Sequence, residues 1–427
     1  MEKEQWKKEI QNSINEEAAI AFLQSLIRVP SENLAPTYAQ ELVKNKLQSL
    51  GFLLDSFPCE TDSIKDLSDF CNFEGNDQYD PLIENVVGTR KGTEQEGHSF
   101  LLHAHIDSAN RSDVMPDFSC RRENGKIYGL GAADDKGGVA IMLVAAEAVL
   151  QHCPELKKDL ILMSTIGKRG AVGTLSAFRR GYHADAAIYL HPAETGHGFL
   201  EIKNYSMGNV DFDITVSGKP GVFRDEIDDS EVSAVKKGAK IIKILSDWEK
   251  KRRAEHHFKE DTFAGLPNTK LNFLGAESKD LLREDVLTFV IHARLCFGLE
   301  ETVADIMEEA KEYVHQQCLD DSWLSLHPPV FTFGTIKADP AYVSRNSELI
   351  KSTEKNIGDV KQFTKEFIYQ YHANSDIRMP IRYGHTPTVG IGPLCGGLNG
   401  DGEEWISEAD YLAGIRIAIG MIIDWCL

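Results

Sequence analysis

The 427-residue sequence lacks any unbroken apolar run of about 18 residues, the length that a membrane-spanning helix requires. Positive charge is scarce, because 46 Lys and Arg stand against 66 Asp and Glu and the net charge is −20. So acidic a balance argues against nucleic acid or an acidic membrane face as a partner. The first residues alternate in charge and lead into no apolar stretch. We therefore predict a cytoplasmic protein with neither a membrane nor a nucleic-acid partner.

The sequence also lacks a C-x-x-C pair, although it contains eight cysteines. Scattered thiols in a long cytosolic chain are typical of reduced, mostly buried cysteines. We expect no disulfides and no zinc held by thiolates. Internal repeats and low-complexity tracts are absent as well, so the chain reads as an ordinary globular protein, with a length that suggests two domains or one domain with a large insertion.

Most of the chain alternates between strand-like apolar runs and helical patterns, which is typical of an α/β sheet flanked by helices. The predicted strands and helices are strands 100–106, 160–166, 186–191 and 388–391, and helices 139–150 and 408–426. Residues 206–318 differ: a strictly alternating strand at 210–216 precedes a long charged helix, a second strand and a second helix. This order predicts an inserted α+β module with a two-layer sheet, while 1–205 and 319–427 form the main α/β domain.

The residues that end the predicted strands carry the chemistry. Because alternate residues of a strand share a face, His103, His105 and Asp107 project to one side. His103 is interpreted as a structural histidine, the commoner role of a lone histidine at a strand end. Asp134 lies in a glycine-rich segment before a helix, where its carboxylate would face the positive end of the helix dipole. His191 ends a third strand. Ligands bind at the carboxyl ends of such strands, so we expect these side chains to meet.

Several segments resemble the M20 family of metallopeptidases and amidohydrolases. They are Val29-Pro-Ser31, Ala104-His-Ile-Asp107, Tyr128-Gly-Leu-Gly-Ala-Ala-Asp-Asp-Lys-Gly-Gly138, Ser375-Asp-Ile-Arg378 and Glu404-Trp-Ile406. The resemblance spans nearly the whole length and implies a zinc-exopeptidase-like sheet flanked by helices, with 206–318 as the lid or dimerisation domain. It implies a homodimer as well.

The resemblance also implies roles for individual residues. His105 would bind metal, Asp134 would bridge two ions, and Asp107 would orient the histidine with its carboxylate. Arg294, Asp376, Arg378, Gly392 and Asn399 would contact substrate. Two of these assignments have open alternatives: Arg294 could be an ordinary strand-edge charge, and Asp376 could form a local ion pair with Arg378.

The sequence departs from the family pattern where the second metal would bind. Lys168-Arg169 replaces a Glu-Glu pair, of which the first glutamate is the general base and the second a metal ligand. His191 replaces an acidic ligand before Pro192, Gly400 falls where a late histidine ligand belongs, and Val222 falls where a lid histidine belongs. The usual base and both private ligands of one ion are therefore missing.

The remaining donors predict one divalent metal, most plausibly zinc, held by His105, Asp134 and His191 with an open position. Arg169 would supply the positive charge of the missing ion and stabilise the oxyanion, and Lys168 would act as the base. The predicted activity is cleavage of an amide bond in a small carboxylate-bearing substrate, an N-acyl amino acid or a dipeptide. Two alternatives stay open: a degenerate member without metal that binds a ligand or partner, and metal-independent acyl transfer or amide formation.

Overall fold

The structure is a computed structural model that describes most of the chain. It leaves out residues 1, 32–37, 60, 72–82, 95–98, 109–118, 168, 193–194, 220–231, 261–262, 279–287, 374 and 399–402, and the side chains of 2, 169 and 371–373. The chain divides into two units. The α/β unit comprises Met1–Leu67, Asn72–Ser206 and Tyr342–Leu427, and the inserted unit comprises Ser68–Cys71 and Met207–Ala341.

The helices and strands follow in chain order. The helices are α1 (Glu2–Asn12), α2 (Glu16–Ile27), α3 (Tyr38–Ser49), α4 (Thr61–Ile64), α5 (Gly137–His152), α6 (Val172–Arg179), α7 (Ala234–Glu255), α8 (Val303–Cys318), α9 (Glu348–Lys361), α10 (Arg378–Tyr383) and α11 (Glu408–Cys426). The strands are β1 (Leu53–Pro58), β2 (Glu84–Arg90), β3 (Phe100–His105), β4 (Arg121–Glu123), β5 (Lys126–Tyr128), β6 (Leu160–Thr165), β7 (Ala186–Tyr189), β8 (Glu201–Ser217), β9 (Lys270–Ser278), β10 (Thr288–Phe297), β11 (Val330–Ala338), β12 (Ala341–Tyr342), β13 (Ile368–Ala373), β14 (Thr388–Gly390), β15 (Cys395–Gly396) and β16 (Trp405–Ser407).

The α/β unit is built on a mixed sheet in the order β1-β2-β6-β3-β7-β14. β3 runs parallel to both β6 and β7, and β14 runs parallel to β7, whereas β1 and β2 are antiparallel. Every residue of β3 and β6 is buried, as expected of the apolar runs that form them. Helices α3, α5, α10 and α11 pack against this sheet. The predicted α/β fold with a helix-flanked sheet is confirmed.

A small second sheet in the same unit has the order β15-β16-β5-β4. In it Trp405 pairs with Tyr128 and Ile406 with Ile127. This pairing carries the residue before β16, Glu404, to the segment that follows β5. The small sheet therefore joins two segments that are far apart in sequence at the edge of the candidate site.

The inserted unit contains an antiparallel sheet in which β10 pairs with both β8 and β9, and β11 pairs with β8. Alternate residues of β8, from Val210 to Val216, are buried with apolar side chains of α7 and α8 in one cluster. α8 begins with a capping box between Thr302 and Asp305. The unit ends at Ala341, beyond the limit at 318 that the sequence suggested, because β11 joins its sheet.

In the part of the chain that the structure describes, no helix is both long and apolar enough to cross a membrane.

Candidate metal centre

Four parallel strands of the α/β unit end at the same edge of the sheet. His105 is the last residue of β3, and His191 follows β7 by two residues. β6 is followed by a 3-10 turn at Arg169–Ala171, and β14 by Ile391 and Gly392. This edge is where open α/β sheets bind ligands, so the polar residues collected from the sequence are gathered at one place.

Asp134 is the centre of this group. Its Oδ1 atom lies 2.8 Å from Nε2 of His105 and 3.0 Å from Nε2 of His191. Ligand atoms of the three residues all lie within 4.8 Å of one another, and among the described residues they are the group found with this property. His105 and Asp134 are buried and His191 is nearly so. One carboxylate oxygen of Asp134 therefore contacts the imidazole rings of two histidines, in a site largely shielded from water.

Glu404 holds the segment that carries Asp134. Its carboxylate accepts hydrogen bonds from the backbone N–H groups of Gly131 at 2.9 Å, Ala133 at 2.8 Å and Asp134 at 3.0 Å. Gly131 has a φ of 78°, a left-handed conformation that glycine adopts without strain. Burial raises the pKa of Glu404, and the nearby charge of Asp134 raises it too, while the three N–H groups act in the opposite direction. The backbone around Asp134 is thus fixed from outside the segment.

The N-terminus of α5 is capped by the carboxylate of Asp135. Oδ1 of Asp135, not of Asp134, accepts from the N–H of Gly138 in the first turn of α5, at 3.3 Å. A Cβ at Gly138 would lie 2.0 Å from the carbonyl oxygen of Leu190, the residue before His191. The absence of that atom lets the start of α5 lie directly on the chain that leads to His191. Asp135 therefore serves the helix, and Asp134 faces the histidines.

A main-chain oxygen orients His105. Its Nδ1 donates to the carbonyl oxygen of Asp107 at 2.9 Å, and the carboxylate Oδ1 of Asp107 lies farther away, at 3.5 Å. Oδ2 of Asp107 accepts from the N–H of Gly167 at 3.0 Å. Asp107 thus lies beside His105, as expected, but its backbone makes the shorter contact. Nδ1 is thus occupied by Asp107, and Nε2 is the ring nitrogen that faces Asp134.

His191 has a more complex environment. Its Nδ1 lies 2.9 Å from the carbonyl oxygen of Pro192 and 3.0 Å from Nζ of Lys203. Nζ of Lys203 also donates to that carbonyl oxygen, at 3.2 Å. Lys203 is buried and lies over the ring of Tyr189, with Nζ 5.4 Å from the ring centroid. A cationic side chain therefore stands behind His191.

The pKa values of His105 and His191 shift in opposite directions, because the charge of Lys203 acts on His191. Burial would lower the pKa of His105, yet its hydrogen bonds to Asp107 and Asp134 raise it well above its usual value. Burial and the charge of Lys203 lower the pKa of His191 to about 3, despite the same partner Asp134. Burial lowers the pKa of His103 to about 3 as well, and its ring stacks on Tyr189 at 4.6 Å between centroids.

This set of donors fits a divalent metal ion. Two imidazole nitrogens and a carboxylate oxygen form the kind of three-ligand protein set that catalytic zinc sites use. The Nδ1 of His105 donates to Asp107, as is usual for a ligating histidine whose other nitrogen faces the ion. His191 can meet the same condition through the carbonyl oxygen of Pro192. Asp135, within the same segment, has a buried Oδ2 with no hydrogen-bond partner among the described residues.

The residues predicted to contact substrate are distributed unevenly. Asp376 is buried, which raises its pKa to about 6, and charges on His105 and Arg378 partly offset this rise. Arg378, the first residue of α10, is also buried. Gly392 packs on the chain at His191 and Pro192, where a Cβ would lie 2.3 Å from the nitrogen of Pro192. Packing alone thus requires a glycine at 392.

Arg294 belongs to the inserted unit and pairs with Asp211 on the neighbouring strand. Its Nε and one terminal nitrogen donate to the two carboxylate oxygens at 2.6 and 2.8 Å. This bidentate pair matches the alternative of a strand charge. Lys168 and Asn399 lie outside the described residues, and so does the side chain of Arg169; the backbone of Arg169 begins the turn after β6.

Two participants were missed at the sequence level. Lys203 lies near the start of β8 and resembles any lysine of a mostly buried strand, so only its contact with His191 distinguishes it. Glu404 was noted as part of a motif without a role, and its three backbone partners supply one. The motif Glu404-Trp-Ile406 was the one available signal.

Comparison with known proteins identifies the class of this fold and site. Residues 101–424 match the model of peptidase family M20/M25/M40. The chain belongs to this family of peptidases and amidohydrolases, as the motifs predicted.

Relatives show the range within this family. N-formyl-4-amino-5-aminomethyl-2-methylpyrimidine deformylase of Bacillus subtilis (strain 168) is 29% identical over 395 residues, which cover 82% of this chain and 85% of the relative. A tripeptidase from Staphylococcus aureus shares the fold with a TM-score of 0.69 at 17% identity, over 96% of this chain and 99% of the other. The Bacillus subtilis YXEP protein, described as a dinuclear metal-binding M20 peptidase, has a TM-score of 0.60 at 12% identity, over 96% and 98%.

Proposed function

We propose that this protein is an amidohydrolase that cleaves an amide bond in a small carboxylate-bearing substrate, with one divalent metal ion held by His105, Asp134 and His191. The observation that carries the proposal is the convergence of these three side chains within 4.8 Å in a member of a peptidase and amidohydrolase family. The dinuclear relative holds two ions, but here the positions of the second ion's private ligands carry Arg169 and Gly400. We therefore propose a single ion.

A bound divalent ion would supply Lewis acidity at the reacting carbonyl and would lower the pKa of water. The chain itself supplies orientation. Asp107 keeps the proton of His105 on Nδ1, and Glu404 fixes the backbone of Asp134. His105 and Asp134 are buried and the side chain of His191 is only 12% exposed, so the site excludes most competing water and its charge interactions are strengthened.

Two roles are carried over from the sequence. Lys168 would move the proton in place of the missing glutamate, and Arg169 would stabilise the oxyanion with its fixed positive charge. A lysine can act as a base near neutral pH only if its pKa falls several units, and a neighbouring arginine would favour this. A Lys168→Met variant should therefore lose most of its activity and the acidic limb of its pH profile, on which activity rises as the base loses its proton.

The substrate we propose is an N-acyl amine with an acidic group. Buried positive charges at Lys203 and Arg378 in the α/β unit favour an anionic substrate. The Bacillus subtilis relative removes a formyl group from an aminopyrimidine, as its name states. A first panel should hold N-formyl-4-amino-5-aminomethyl-2-methylpyrimidine, N-formyl, N-acetyl and N-succinyl amino acids, and dipeptides.

The decisive experiment is the metal content of the purified full chain by inductively coupled plasma mass spectrometry. We expect about one zinc or similar ion per chain, lost in both His105→Ala and His191→Ala. His183→Ala is the matched control, because His183 is an exposed histidine of the same unit. Its metal content should equal that of the unchanged protein.

Absence of metal after loading, together with turnover of an amide, would overturn the metal-dependent proposal and support the metal-independent chemistry. Absence of both metal and turnover would support a ligand-binding descendant. Two ions per chain would overturn the single-ion site while keeping the hydrolase.

We propose further that the inserted unit forms a homodimer. Its strands β9 and β11 expose large apolar side chains, at Phe273, Leu274, Val330 and Phe333. Large apolar side chains exposed on the outer strands of a sheet mark a candidate interface. Static light scattering should give twice the mass of the 47.6 kDa chain, and a monomer would remove the proposal.

A further inference from the structure

A cavity of about 620 Å³ lies at the amino ends of β7 and β14, whereas the metal centre lies at the carboxyl ends of the same strands. Its lining comes from the two loops that precede these strands and belongs to the α/β unit alone. The lining side chains with rings or polar groups are Tyr182, His183, Asp185, Tyr383 and His385. Pockets that bind small molecules have volumes of about 300–1,000 Å³, so this cavity has the size of a ligand site.

Thr386 joins the two loops. Its Oγ1 accepts from the N–H of Ala184 in the first loop at 2.9 Å and donates to the carbonyl oxygen of Gly384 in the second loop at 3.0 Å. Its own N–H donates to the carbonyl oxygen of Pro380 at 2.9 Å. Because Thr386 is fully buried, water does not compete for these bonds. The two walls of the cavity are therefore fixed relative to each other before a ligand enters.

His385 has a backbone φ of 48°, in the left-handed region that few residues other than glycine adopt. The turn packs tightly on α6, since a Cβ at the preceding Gly384 would lie 2.3 Å from Cδ1 of Phe178. Residues in such conformations cluster at ligand sites. The imidazole of His385 is exposed at the cavity and forms no hydrogen bond among the described residues. One of its nitrogens can donate to a ligand, and the other can accept.

The other polar groups at the cavity are acceptors. Nδ1 of His183 lies 3.0 Å from the carbonyl oxygen of Gly181, which can only accept, so in the neutral ring the proton is on Nδ1 and the lone pair on Nε2. Oδ2 of Asp185 accepts from the N–H of Ser99 at 2.6 Å and from its hydroxyl at 2.9 Å. Oδ1 of Asp185 forms no hydrogen bond in the part of the chain that the structure describes. A ligand that fits these groups donates N–H and carries no negative charge.

The two tyrosines supply aromatic surfaces. The ring of Tyr182 stacks on Phe57 with the centroids 6.3 Å apart, and its hydroxyl donates to Asp55 at 2.7 Å. The ring of Tyr383 is half-buried, and the guanidinium of Arg382 lies 5.9 Å from its centroid. Aromatic side chains held in this way favour stacking with a planar ring.

A metal ion does not suit this cavity. Among the described residues, His105, Asp134 and His191 are the group found with three potential ligand atoms within 4.8 Å of one another. His183 and His385 belong to no such group. The cavity volume also exceeds the space of a single ion and fits an organic molecule.

We propose that this cavity is a binding site, separate from the metal centre, for a planar heteroaromatic amine. The ring of the amine stacks on the tyrosines, its amino group donates to Asp185 and His183, and a ring nitrogen accepts from His385. The proposal is independent of the hydrolytic function, because it uses no residue of the metal centre.

Binding of 4-aminopyrimidine to the full chain, titrated by saturation-transfer difference NMR, tests the proposal. We expect a dissociation constant of about 1 mM, in keeping with so small a ligand. Pyrimidine lacks the amino group and should bind about 10-fold more weakly, because Asp185 and His183 would then lack a donor. Equal affinity for the two compounds, or no binding of 4-aminopyrimidine at about 10 mM, would overturn the proposal.

Two variants locate the bound amine. His385→Gly removes the imidazole and keeps the left-handed backbone, which glycine adopts without strain, and Tyr383→Leu removes an aromatic surface. Each should weaken the binding of 4-aminopyrimidine about 5-fold or more. Gln362→Gly is the matched control, because Gln362 has a φ of 52° and ends α9 outside the cavity. Unchanged binding in both cavity variants would overturn the proposal.

His105→Ala distinguishes the cavity from the metal centre. His105 ends β3 at the opposite edge of the sheet, so this variant should bind 4-aminopyrimidine as tightly as the unchanged protein. Loss of binding in His105→Ala would place the amine at the metal centre and overturn the proposal. Failure of the hydrolytic function alone would leave the binding of the amine unchanged.

Discussion

Buried charged groups have different kinds of partner in the two units. In the inserted unit, Arg252 is 1% exposed and donates to Glu301, Glu309 and Thr269. In the α/β unit, two imidazoles crowd one carboxylate oxygen of Asp134. The first arrangement gives each buried donor an opposite charge or an acceptor. The second arrangement concentrates several potential metal donors on one point.

The difference in partners distinguishes a hydrogen-bond network that stabilises the fold from a candidate metal-binding site. A buried ion is tolerated when its partners satisfy it, and such a group then contributes to stability. Several potential metal donors that converge on one buried point instead form a candidate binding site. Three substitutions test this division, in order of decreasing effect.

The largest loss in the free energy of unfolding is expected for Arg252→Met. The change leaves Glu301 without its buried partner and removes a side chain that stacks on Trp248. Loss of one partner from a buried pair costs about 3 kcal/mol in the free energy of unfolding. Urea unfolding followed by fluorescence measures it. Arg253→Met is the control, since Arg253 is exposed and should change stability little. The metal content of both variants should equal that of the unchanged protein. An Arg252→Met variant as stable as the unchanged protein would contradict the structural role of this network.

A smaller and pH-dependent effect is expected for Asp321→Asn. Asp321 accepts from Lys237, Lys240 and two backbone N–H groups. Burial raises its pKa, but the hydrogen bonds outweigh burial and hold the pKa well below the usual range. A lowered folded-state pKa means that the stability is present above the unfolded value of about 3.9 and is lost as pH falls through the folded value.

Asp321→Asn should therefore lower the free energy of unfolding by about 2 kcal/mol at neutral pH, and the loss should shrink below about pH 4. Thermal unfolding from pH 7 to pH 3 measures this difference. The neighbouring Asp320→Asn is the control, because Asp320 is exposed. A difference that grows on acidification would reverse the sign of the argument.

The smallest effect on stability, but a specific effect on the site, is expected for Glu404→Gln. The amide keeps one acceptor oxygen and loses the other, so one or more of the N–H groups of Gly131, Ala133 and Asp134 loses its partner. Zinc affinity should fall about 10-fold. Glu403→Gln is the control, since Glu403 pairs with Arg121 at the surface. Equal zinc affinities would show that Asp134 needs no support from Glu404.

The sequence predicted those parts of the molecule that depend on local pattern. Apolar runs and periodicity located β3, β6, β7 and α11 within a few residues, since burial on both faces leaves a continuous signal. The convergence of His105, Asp134 and His191 was predictable because parallel strands end at one edge. The limits of the inserted unit were less accurate, because β11 follows a turn and a helix and joins the earlier sheet only through pairing with β8.

Contacts that depend on the register of distant segments were out of reach. Lys203 reaches His191 because β8 pairs with β14 at Gly390, and no local pattern around residue 203 encodes that pairing. Asp107 was expected to act through its carboxylate, but a main-chain oxygen makes the shorter contact, and a sequence motif cannot distinguish the two. For Arg294 the sequence left open a substrate contact and a strand-edge charge, and the β8–β10 register that places Asp211 opposite it could not be read from the local sequence.

Gly138 has a consequence for how this protein can change over evolutionary time. Even a methyl group at this position would strike the carbonyl oxygen of Leu190, and thereby push the start of α5 away from the strand end that carries His191. An exchange of the side chain at 191 would leave this spacing unchanged, whereas any side chain at 138 would alter it. The distance between the start of α5 and the strand end at His191 is thus fixed by a missing atom, independently of which side chains point into the site.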